Sequence, residues 1–472
     1  MRCAEALYTR GNKHFRTLEP YGITIAGSTT VVIRDTADLA AMWKNTTALS
    51  YDPFVSRMLI AFGISKCNVE KVFQSDPGSL MPKERKDCTL LHTENPRRKC
   101  YMHLQSEWFK KQLLPGDNLV RLQNDYLIYL RDVMNFDKFK SHFITYQGSD
   151  MDSPAVTVLL GKLSRCILSH CALRAFFGEE LFQIEPDFAQ VYQKWEDDSW
   201  KVFYNYPYIF AKDLHDARLR AIEALAQYYE IPDHQRHPCW LFRVMDRELE
   251  FVGLPRTDRA GMVMMICWAI NNNAHYICFW MIIHMLCTPD ILNTVRSETD
   301  ACCTPDGSCK IEKLLEHCPA LDGVWNEALR LYNASTAVRK AVTDCFIGNK
   351  IIHSGDQIFG PVRNWQLEEG FFGECARNFR ADRWTKNKNL TRSKGFTPFG
   401  GGHTYCPGRY FAQRETYMFI AILLRRFELQ VTDPSGLPIL HPQVPPVEVN
   451  LPAPAAMRPV HDIYITLKRR AV

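Results

Sequence analysis

The sequence predicts a mainly α-helical protein with small β-sheets, an α+β fold, in a single large domain. Long apolar runs with helical spacing predict the helices, the longest of them between Asp258 and Cys287. Short alternating segments such as the one from Tyr21 to Ile33 predict the strands. With 472 residues and 46% hydrophobic content the chain can bury a large core. Because it has no internal repeat and no low-complexity linker, we place residues 1–472 in one domain.

The individual elements have recognisable start and stop signals. Tyr21 to Ile33 is typical of a hairpin that turns at Gly27-Ser28. Asp35 predicts a helix start, because its carboxylate can accept hydrogen bonds from the free N–H groups of a first turn. Apolar periodicity then predicts helices over 156–177, 186–200, 211–229, 258–287 and 410–427, and a last strand over 460–467.

Composition excludes several classes of protein. There are 57 basic and 52 acidic residues, and this mixed charge gives no signature of nucleic-acid binding. The 17 cysteines are odd in number and scattered, which favours a reducing compartment over a disulfide framework. Cys302, Cys303 and Cys309 fall in one loop, where we expect loop cysteines rather than a zinc site. The first residues contain no charged-then-apolar leader, so we expect neither a signal peptide nor a membrane anchor in this chain.

An aromatic segment lies between two predicted helices. The segment from Phe203 to Phe210 contains three tyrosines, two phenylalanines and one isoleucine, and Pro207 interrupts it. Core packing would explain it. The alternative that we favour is a mobile apolar lid over a hydrophobic substrate, partly inserted into a membrane surface.

One cysteine stands in unusual surroundings. Cys406 follows three consecutive glycines, Gly400 to Gly402, and directly precedes a predicted helix, whose free N–H groups and positive dipole end favour a thiolate. A catalytic cysteine would need a base, and His403 is three residues away. A haem ligand would need backbone with few side chains, which the glycines offer. A buried structural cysteine is the third possibility, and this string of residues makes it the least favoured.

This loop resembles the haem-binding loop of the cytochrome P450 family, Phe-x-x-Gly-x-Arg-x-Cys-x-Gly followed by an aromatic residue and Ala. Thr404 stands where the family usually has the arginine that holds a haem propionate. The branch that contains cholesterol 7α-hydroxylase and prostacyclin synthase also lacks this arginine, and a fungal-type member of the family fits the pattern. The matching positions are Phe399, Gly402, Cys406, Gly408, Phe411 and Ala412.

The resemblance implies a cytochrome P450 fold and a set of site residues. Cys406 would be the axial thiolate ligand of haem b, in a loop formed with Phe399, Gly402 and Gly408. With Thr404 in place of arginine, Arg339 or His403 would hold a propionate. The residues that match the family's structural triad are Glu327, Arg330 and Arg383.

The resemblance implies that the helix predicted over 258–287 crosses the distal face of the haem, and the sequence of this distal helix also departs from the family pattern. The family usually has an acid and a threonine there, and this chain has Asn271, Asn272 and Asn273. We interpret Asn273 as the catalytic residue in the threonine's place, donating to oxygen or orienting substrate. His275, two residues further, would point away from Asn273, and we expect it to be a core histidine with its hydrogen bonds satisfied.

The resemblance implies a monooxygenase that oxidises a bulky hydrophobic molecule, steroid-like or terpenoid-like, in secondary metabolism. Its electrons would come from NADPH–cytochrome P450 reductase, with cytochrome b5 as an optional second donor. Its place would be the cytoplasmic face of the endoplasmic reticulum membrane, although the family's N-terminal anchor is missing from this chain. Two alternatives stay open: a haem-thiolate isomerase or dehydratase that needs no external electrons, and a non-catalytic haem-binding member.

Overall fold

A computed structural model describes residues 4–25, 28–74, 99–135, 155–203, 206, 208–304, 309–451 and 455–470. It confirms the predicted fold class, mainly helical with small sheets. Tyr204, Asn205 and Pro207 of the aromatic segment lie outside the described residues. The strands are β1 (Tyr21–Ile25), β2 (Ser28–Val32), β3 (Leu49–Ser50), β4 (Ala155–Leu159), β5 (Thr336–Ala341), β6 (Cys345–Ile347), β7 (Lys350–Ile352), β8 (Gln357–Pro361), β9 (Phe427–Val431) and β10 (Tyr464–Arg469).

The larger sheet joins the start of the chain to its last third, in the order β1-β2-β8-β5-β3. The predicted hairpin is present, since β1 and β2 pair antiparallel from Tyr21↔Val32 to Ile25↔Ser28. Strand β2 runs parallel to β8, and β5 runs antiparallel to both β8 and β3. This sheet has its own small apolar core, in which Ile33 and Ile358 are fully buried.

The second sheet, in the order β4-β10-β9, joins residues that are far apart in the chain. Its last strand begins at Tyr464, four residues later than the sequence predicts, because pairing with β4 starts only there. Just before it, the Asp462 carboxylate accepts from the backbone N–H groups of Gly161 (2.7 Å) and Lys162 (3.0 Å). These N–H groups belong to the first turn of the helix that follows β4, so Asp462 satisfies donors that the helix itself leaves free.

Helices make up most of the rest of the described chain. The predicted helix over 410–427 begins one residue earlier, at Arg409, with Gly408 at its N-cap. The helices are α1 (Ala4–Phe15), α2 (Thr36–Lys44), α3 (Asp52–Ala61), α4 (Lys66–Phe73), α5 (Tyr101–Leu113), α6 (Asp117–Val133), α7 (Leu160–Phe177), α8 (Glu180–Ile184), α9 (Phe188–Asp198), α10 (Trp200–Phe203), α11 (Lys212–Tyr228), α12 (Trp240–Phe251), α13 (Arg256–Asn271), α14 (Ala274–Leu286), α15 (Pro289–Cys302), α16 (Ile311–His317), α17 (Pro319–Tyr332), α18 (Val362–Gln366), α19 (Glu369–Phe372), α20 (Asp382–Lys386) and α21 (Arg409–Arg426).

The longest predicted helix is interrupted. The sequence predicts one helix over 258–287, whereas the structure has α13 and α14 with a break at Asn272 and Asn273. Asn271 donates through its side chain to the Cys267 carbonyl (2.8 Å), and the Asn273 side-chain oxygen accepts from the Ala456 N–H (2.9 Å). Asparagine side chains compete with the backbone for hydrogen bonds in this way, which explains why the helical pattern stops here.

The main core surrounds α14, which is buried on nearly all sides. Side chains from α7, α17 and α21 pack around it, and Phe279 and Ile420 are among the fully buried ones. Burial on every side explains why the periodicity of this segment is weak and its hydrophobicity high. The position of α14 places α21, and with it the loop that carries Cys406, next to the interrupted helix.

No single described helix is both long and apolar enough for a membrane span. By length and composition, the one candidate in the described chain combines residues 256–286, which form α13 and α14, with α15. These two parts meet at an angle of 115°.

Two cysteines differ from the sequence expectation. Cys303 and Cys309, which we expected to be free loop cysteines, are joined by a disulfide. The chain brings them opposite each other in an antiparallel bridge, with 4.1 Å between their Cα atoms. Beside this bridge, the thiols of Cys302 and Cys318 lie 3.6 Å apart in the interior.

Candidate functional site

Cys406 lies at the end of a closed loop. Its backbone N–H donates to the Phe399 carbonyl (3.0 Å), which joins the two ends of the loop. Burial raises the pKa of the Cys406 thiol, and the N–H groups of Gly408 and Arg409 together with the Arg409 guanidinium oppose that rise. The helix N-terminus therefore acts as the sequence predicts, but burial outweighs it. A bound metal would make Cys406 a thiolate, because coordination removes the proton of the thiol.

The glycines of this loop have different surroundings. A Cβ atom at Gly401 would lie 2.5 Å from the Trp43 ring, and one at Gly402 would lie 2.9 Å from the Trp43 side chain. Gly402 also has a φ of +61°, which favours glycine. Two of the three glycines thus allow Trp43 of α2 to approach the loop. Gly408 is the glycine nearest the sulfur, since a Cβ there would lie 3.8 Å from the Cys406 Sγ.

Arg339 is a buried cation that pairs with no carboxylate of the described residues. It is 2% exposed, and its guanidinium donates to the Thr404 hydroxyl (2.9 Å) and to the Val338 carbonyl (2.7 Å). Its Nε has no partner among the described residues, and its guanidinium carbon lies 5.4 Å from the centre of the Tyr51 ring. Burial lowers the pKa of Arg339. A buried charge is costly unless it is paired, so this position calls for an anion.

The surroundings of Arg339 fit the haem that the resemblance implies. Thr404, which replaces the family's arginine, holds the Arg339 guanidinium at the edge of the Cys406 loop. His403 is exposed and makes no hydrogen bond in the described part of the chain. Partial burial lowers the pKa of His403, and the positive charge of Arg339 lowers it further. A cation with a free N–H beside an imidazole is a suitable donor set for a carboxylate such as a haem propionate.

The predicted triad forms a buried charged cluster. Glu327 and Arg330 are both fully buried, and their bidentate pair has N–O distances of 2.8 and 2.7 Å. The Arg383 Nε lies 3.6 Å from the same carboxylate. Arg330 also donates to the carbonyls of Gln366 and Ala376, so it attaches α17 to the chain that follows α18.

The structure adds two residues to this cluster that sequence reasoning missed. The Trp384 indole N–H donates to the Glu327 carboxylate (2.8 Å). The Asn333 side chain, at the end of α17, donates to the Pro398 carbonyl (2.8 Å), directly before Phe399. This hydrogen bond is the link between the cluster's helix and the Cys406 loop. Trp384 directly follows Arg383, so the dipeptide could have suggested its role, whereas nothing near Asn333 in the sequence points to Pro398.

Asn273 lies at the break between α13 and α14. It is half-buried, and Ala269, one turn earlier on the same face, is exposed, so this face of the interrupted helix can be contacted by a ligand. The side-chain oxygen of Asn273 accepts from the Ala456 N–H, which leaves its amide N–H groups as donors. Either of the two roles that the sequence predicts for Asn273, donation to oxygen or orientation of substrate, would use these N–H groups.

His275 is not the satisfied core histidine that the sequence predicts. It is 2% exposed, yet its Nε2 has no hydrogen-bond partner in the described residues. Burial lowers the pKa of His275 well below its usual value, and the positive charges of Arg165 and Arg458 lower it further.

No group of three or more His, Cys, Asp and Glu side chains in the described residues could hold a metal ion. A metal at Cys406 would therefore take at most one further ligand of these types from the described residues, and its remaining ligands would have to come from a bound group. The donor set therefore suits a metal that arrives inside a macrocycle.

Comparisons with known proteins agree with this geometry. The family model described as cytochrome P450 matches residues 264–455, which include the distal helix, the Glu327 cluster and the Cys406 loop. The crystal structure of the cytochrome P450DA heme domain superimposes with a TM-score of 0.68 at 13% identity, over 99% of this chain and 93% of that chain. The fold is therefore the cytochrome P450 fold, and residues 264–455 resemble the cytochrome P450 family in sequence.

Two curated relatives show how far the sequence similarity extends. A cytochrome P450 monooxygenase of Gibberella zeae is 32% identical over 178 residues, 34% of this chain and 34% of the relative. Cholesterol 7-alpha-monooxygenase of Cricetulus griseus is 27% identical over 234 residues, 45% of each chain. The aligned segments thus span less than half of either relative's own length.

Proposed function

We propose that this chain is a haem-thiolate monooxygenase that oxidises a bulky hydrophobic molecule. The observation that carries the proposal is Arg339, a buried guanidinium that has no carboxylate partner among the residues that the structure describes and is held by Thr404 at the edge of the loop that presents Cys406. Haem b would be bound by Cys406 as axial ligand, by Arg339 and His403 at its propionates, and along the backbone of Phe399, Gly402 and Gly408. The bound haem thiolate supplies the electron push that activates oxygen.

The chain's own residues would hold and orient the reactants. Glu327, Arg330 and Arg383 fix α17, and Asn333 connects that helix to the Cys406 loop. Asn273 donates its amide N–H groups to a ligand on the face that it shares with Ala269. Because an amide cannot act as an acid, protons would reach that point through water.

The substrate class is inferred from a relative and from composition. The name of the Cricetulus griseus relative gives cholesterol as the molecule that it oxidises. A steroid-like or terpenoid-like substrate, oxidised in secondary metabolism, would suit this chain, and two further relatives, of Gibberella zeae and Penicillium decumbens, are named as cytochrome P450 monooxygenases. Electrons would come from NADPH–cytochrome P450 reductase, with cytochrome b5 as an optional second donor, through the Cys406 face.

A membrane surface is part of the proposal. Tyr208, Ile209 and Phe210 are 54%, 76% and 67% exposed, an unusual degree for three consecutive apolar side chains. We place them against the cytoplasmic face of the endoplasmic reticulum membrane, where a hydrophobic substrate is dissolved. Residues 1–472 would form one catalytic domain above that surface.

Two measurements on purified protein test the monooxygenase proposal. The reduced carbon-monoxide complex should give the spectrum of a thiolate-ligated haem, and Cys406→Ser should abolish it. Cys375→Ser, at an exposed cysteine of the described chain, is the matched control and should leave the spectrum intact. A thiolate spectrum that survives Cys406→Ser would assign the ligand to another residue.

The second measurement separates the monooxygenase from an isomerase or dehydratase. One observation favours the isomerase: residues 271–273 are all asparagine, so none of them has the acid or alcohol side chain that the family usually has in this helix. With reductase and a panel of steroids and terpenoids, the monooxygenase should consume NADPH in step with oxygenated product. Turnover of an oxygenated substrate in the absence of reductase would instead identify the isomerase.

A further inference from the structure

The break between α13 and α14 is held from outside by a buried chain of polar side chains. With its amide oriented so that both of its atoms are satisfied, Asn272 donates to the Glu196 Oε1 (3.0 Å) and accepts from the Trp268 indole N–H (2.8 Å). Glu196 belongs to α9, and Asn272 is 5% exposed. The side chain that lies at the break is thus fixed by an acceptor on a different helix.

The other oxygen of Glu196 is also occupied. It accepts from Arg165 of α7 at 2.6 Å, and Arg165 in turn pairs with Asp197 at 2.7 Å. The Glu196 side chain is 5% exposed, whereas Asp197 is 51% exposed, so the chain of contacts runs from the surface to the break. Burial acts to lower the pKa of Arg165, but the carboxylates of Glu196 and Asp197 outweigh it and raise this pKa, so Arg165 stays charged.

The donors that meet Glu196 and Asn272 are each matched to an acceptor. Asn272 cannot turn its amide around, because its N–H groups would then face the Trp268 indole N–H and its oxygen would face the Glu196 carboxylate. Only an acceptor at position 196 fits the N–H groups of Asn272. Arg165 already has Asp197 as a counter-charge, so charge balance alone does not require a second, buried carboxylate.

We propose that Glu196 is a positioning residue for the candidate site: it holds Asn272, and through Asn272 it fixes the break and the direction in which Asn273 presents its amide. This inference rests on the proposed function for its consequence, since the orientation of Asn273 matters only if its face contacts reactants. A break that is free to shift would misplace that amide, and small misplacements of a positioned group cost large factors in rate.

The test exchanges donors and acceptors while keeping every side chain nearly the same size. In Glu196→Gln, the new amide accepts from Arg165 but turns its own N–H groups toward those of Asn272. Because this leaves buried donors unpaired, backbone amides 272–277 should exchange with deuterium about tenfold faster than in the original chain. Asp197→Asn also alters a partner of Arg165 but does not touch the break, and exchange there should stay within about twofold.

The double variant Glu196→Gln with Asn272→Asp restores the match. The glutamine amide at position 196 then donates to the new carboxylate, which also accepts from Trp268, and deuterium exchange at 272–277 should return to within about twofold of the original. In the haem-loaded protein, the carbon-monoxide stretching band should shift in Glu196→Gln and return in the double variant. Product formed per NADPH should fall several-fold in Glu196→Gln and recover in the double variant, since the amide of Asn273 would first be misplaced and then restored.

Unchanged exchange and an unchanged stretching band in Glu196→Gln would overturn the inference. A double variant that fails to restore them, or an equal effect of Asp197→Asn, would overturn it too. If Glu196→Gln does not fold, the double variant decides alone, since all its partners are matched and it must fold with the original exchange. Hydrogen exchange needs no haem, so a chain without a thiolate spectrum would refute the proposed function and leave this result standing.

Discussion

Arg330 and Arg339 are both buried arginines, and their partners differ in kind. Arg330 has a bidentate carboxylate and several carbonyls, so its charge is fully matched within the chain. Arg339 has a hydroxyl, one carbonyl and an aromatic ring, and no carboxylate in the described residues. The first arginine is therefore built into the fold, whereas the second has the surroundings of a residue that meets an anionic ligand.

Arg339→Met should lower haem retention, because an apolar side chain of similar length cannot hold a propionate. A charge-assisted hydrogen bond is worth about 1.5–3 kcal/mol, so the haem dissociation constant should rise by roughly ten- to a hundredfold. Haem transfer to apomyoglobin measures this change. Lys340→Met, at the next position of β5, is the control, and an equal loss in both variants would refute the role given to Arg339.

His284 should make stability depend on pH. Burial lowers the pKa of His284 to about 3, and its Nε2 lies 2.6 Å from the Tyr332 hydroxyl. The unfolded chain takes up a proton near pH 6.5 while the folded chain does not, so this contribution is complete above pH 6.5 and is lost as pH falls toward 3. Urea unfolding should give a stability about 2 kcal/mol lower at pH 5 than at pH 7.5 from this group.

The matched variants for this prediction are His284→Gln and His353→Gln. Glutamine can still accept from Tyr332 but does not titrate, so the difference in stability between pH 5 and pH 7.5 should shrink in the first variant. His353 is exposed and should leave the difference unchanged. An identical pH dependence in His284→Gln would show that the buried ring takes up its proton without cost.

At the scale of elements, α17 depends on a side chain from α15. The Glu298 carboxylate accepts from the N–H groups of Ala320 (3.0 Å) and Leu321 (3.2 Å), at the start of α17. Glu298→Ala should destabilise the protein by about 1–2 kcal/mol, since two N–H groups of a first turn lose their acceptor. Thermal or urea unfolding measures this, and Glu316→Ala, on the exposed face of α16, should change stability by less than about 0.5 kcal/mol.

The elements also show what the sequence could and could not predict. Helix α21 and the β1–β2 hairpin follow from local spacing, and both lie within a residue or two of the predicted bounds. The break in the distal helix could not be predicted, because the apolar pattern continues through it. Whether Asn273 ends a helix depends on its partner Ala456, which is 183 residues away in the chain.

Site residues could likewise be predicted where their contacts are local in the sequence, and not where their contacts join distant elements. The pair of Glu327 and Arg330 could be predicted, since residues three apart share a helix face, and the Cys406 loop has a specific local pattern. The contacts of Arg339 with Thr404 and Tyr51, and of Glu196 with Asn272, join elements that no local pattern connects. The cysteine bridge was missed for a different reason, since composition gives an average over the chain and a turn can bring two neighbours together.

At the scale of the whole molecule, we predict that the exposed aromatic segment binds the protein to a membrane surface. Ile209→Glu together with Phe210→Glu should weaken co-sedimentation with phosphatidylcholine–phosphatidylserine vesicles by at least about tenfold, because two apolar side chains would no longer enter the lipid. Ile128→Glu is the control, since Ile128 is 63% exposed on α6. Equal binding by all three proteins would place the membrane contact elsewhere.

The capping of α7 by Asp462 sets an order of events during synthesis. The first turn of α7 takes its acceptors from a residue that leaves the ribosome about 300 positions later, and β4 waits equally long for β10. Domains generally fold as units, so a nascent chain that ends before Asp462 should expose residues 155–165 to protease, while one extended past β10 should protect them. The two ends of this contact are thus made far apart in time, and the first turn of α7 lacks its acceptors until residue 462 has been synthesised.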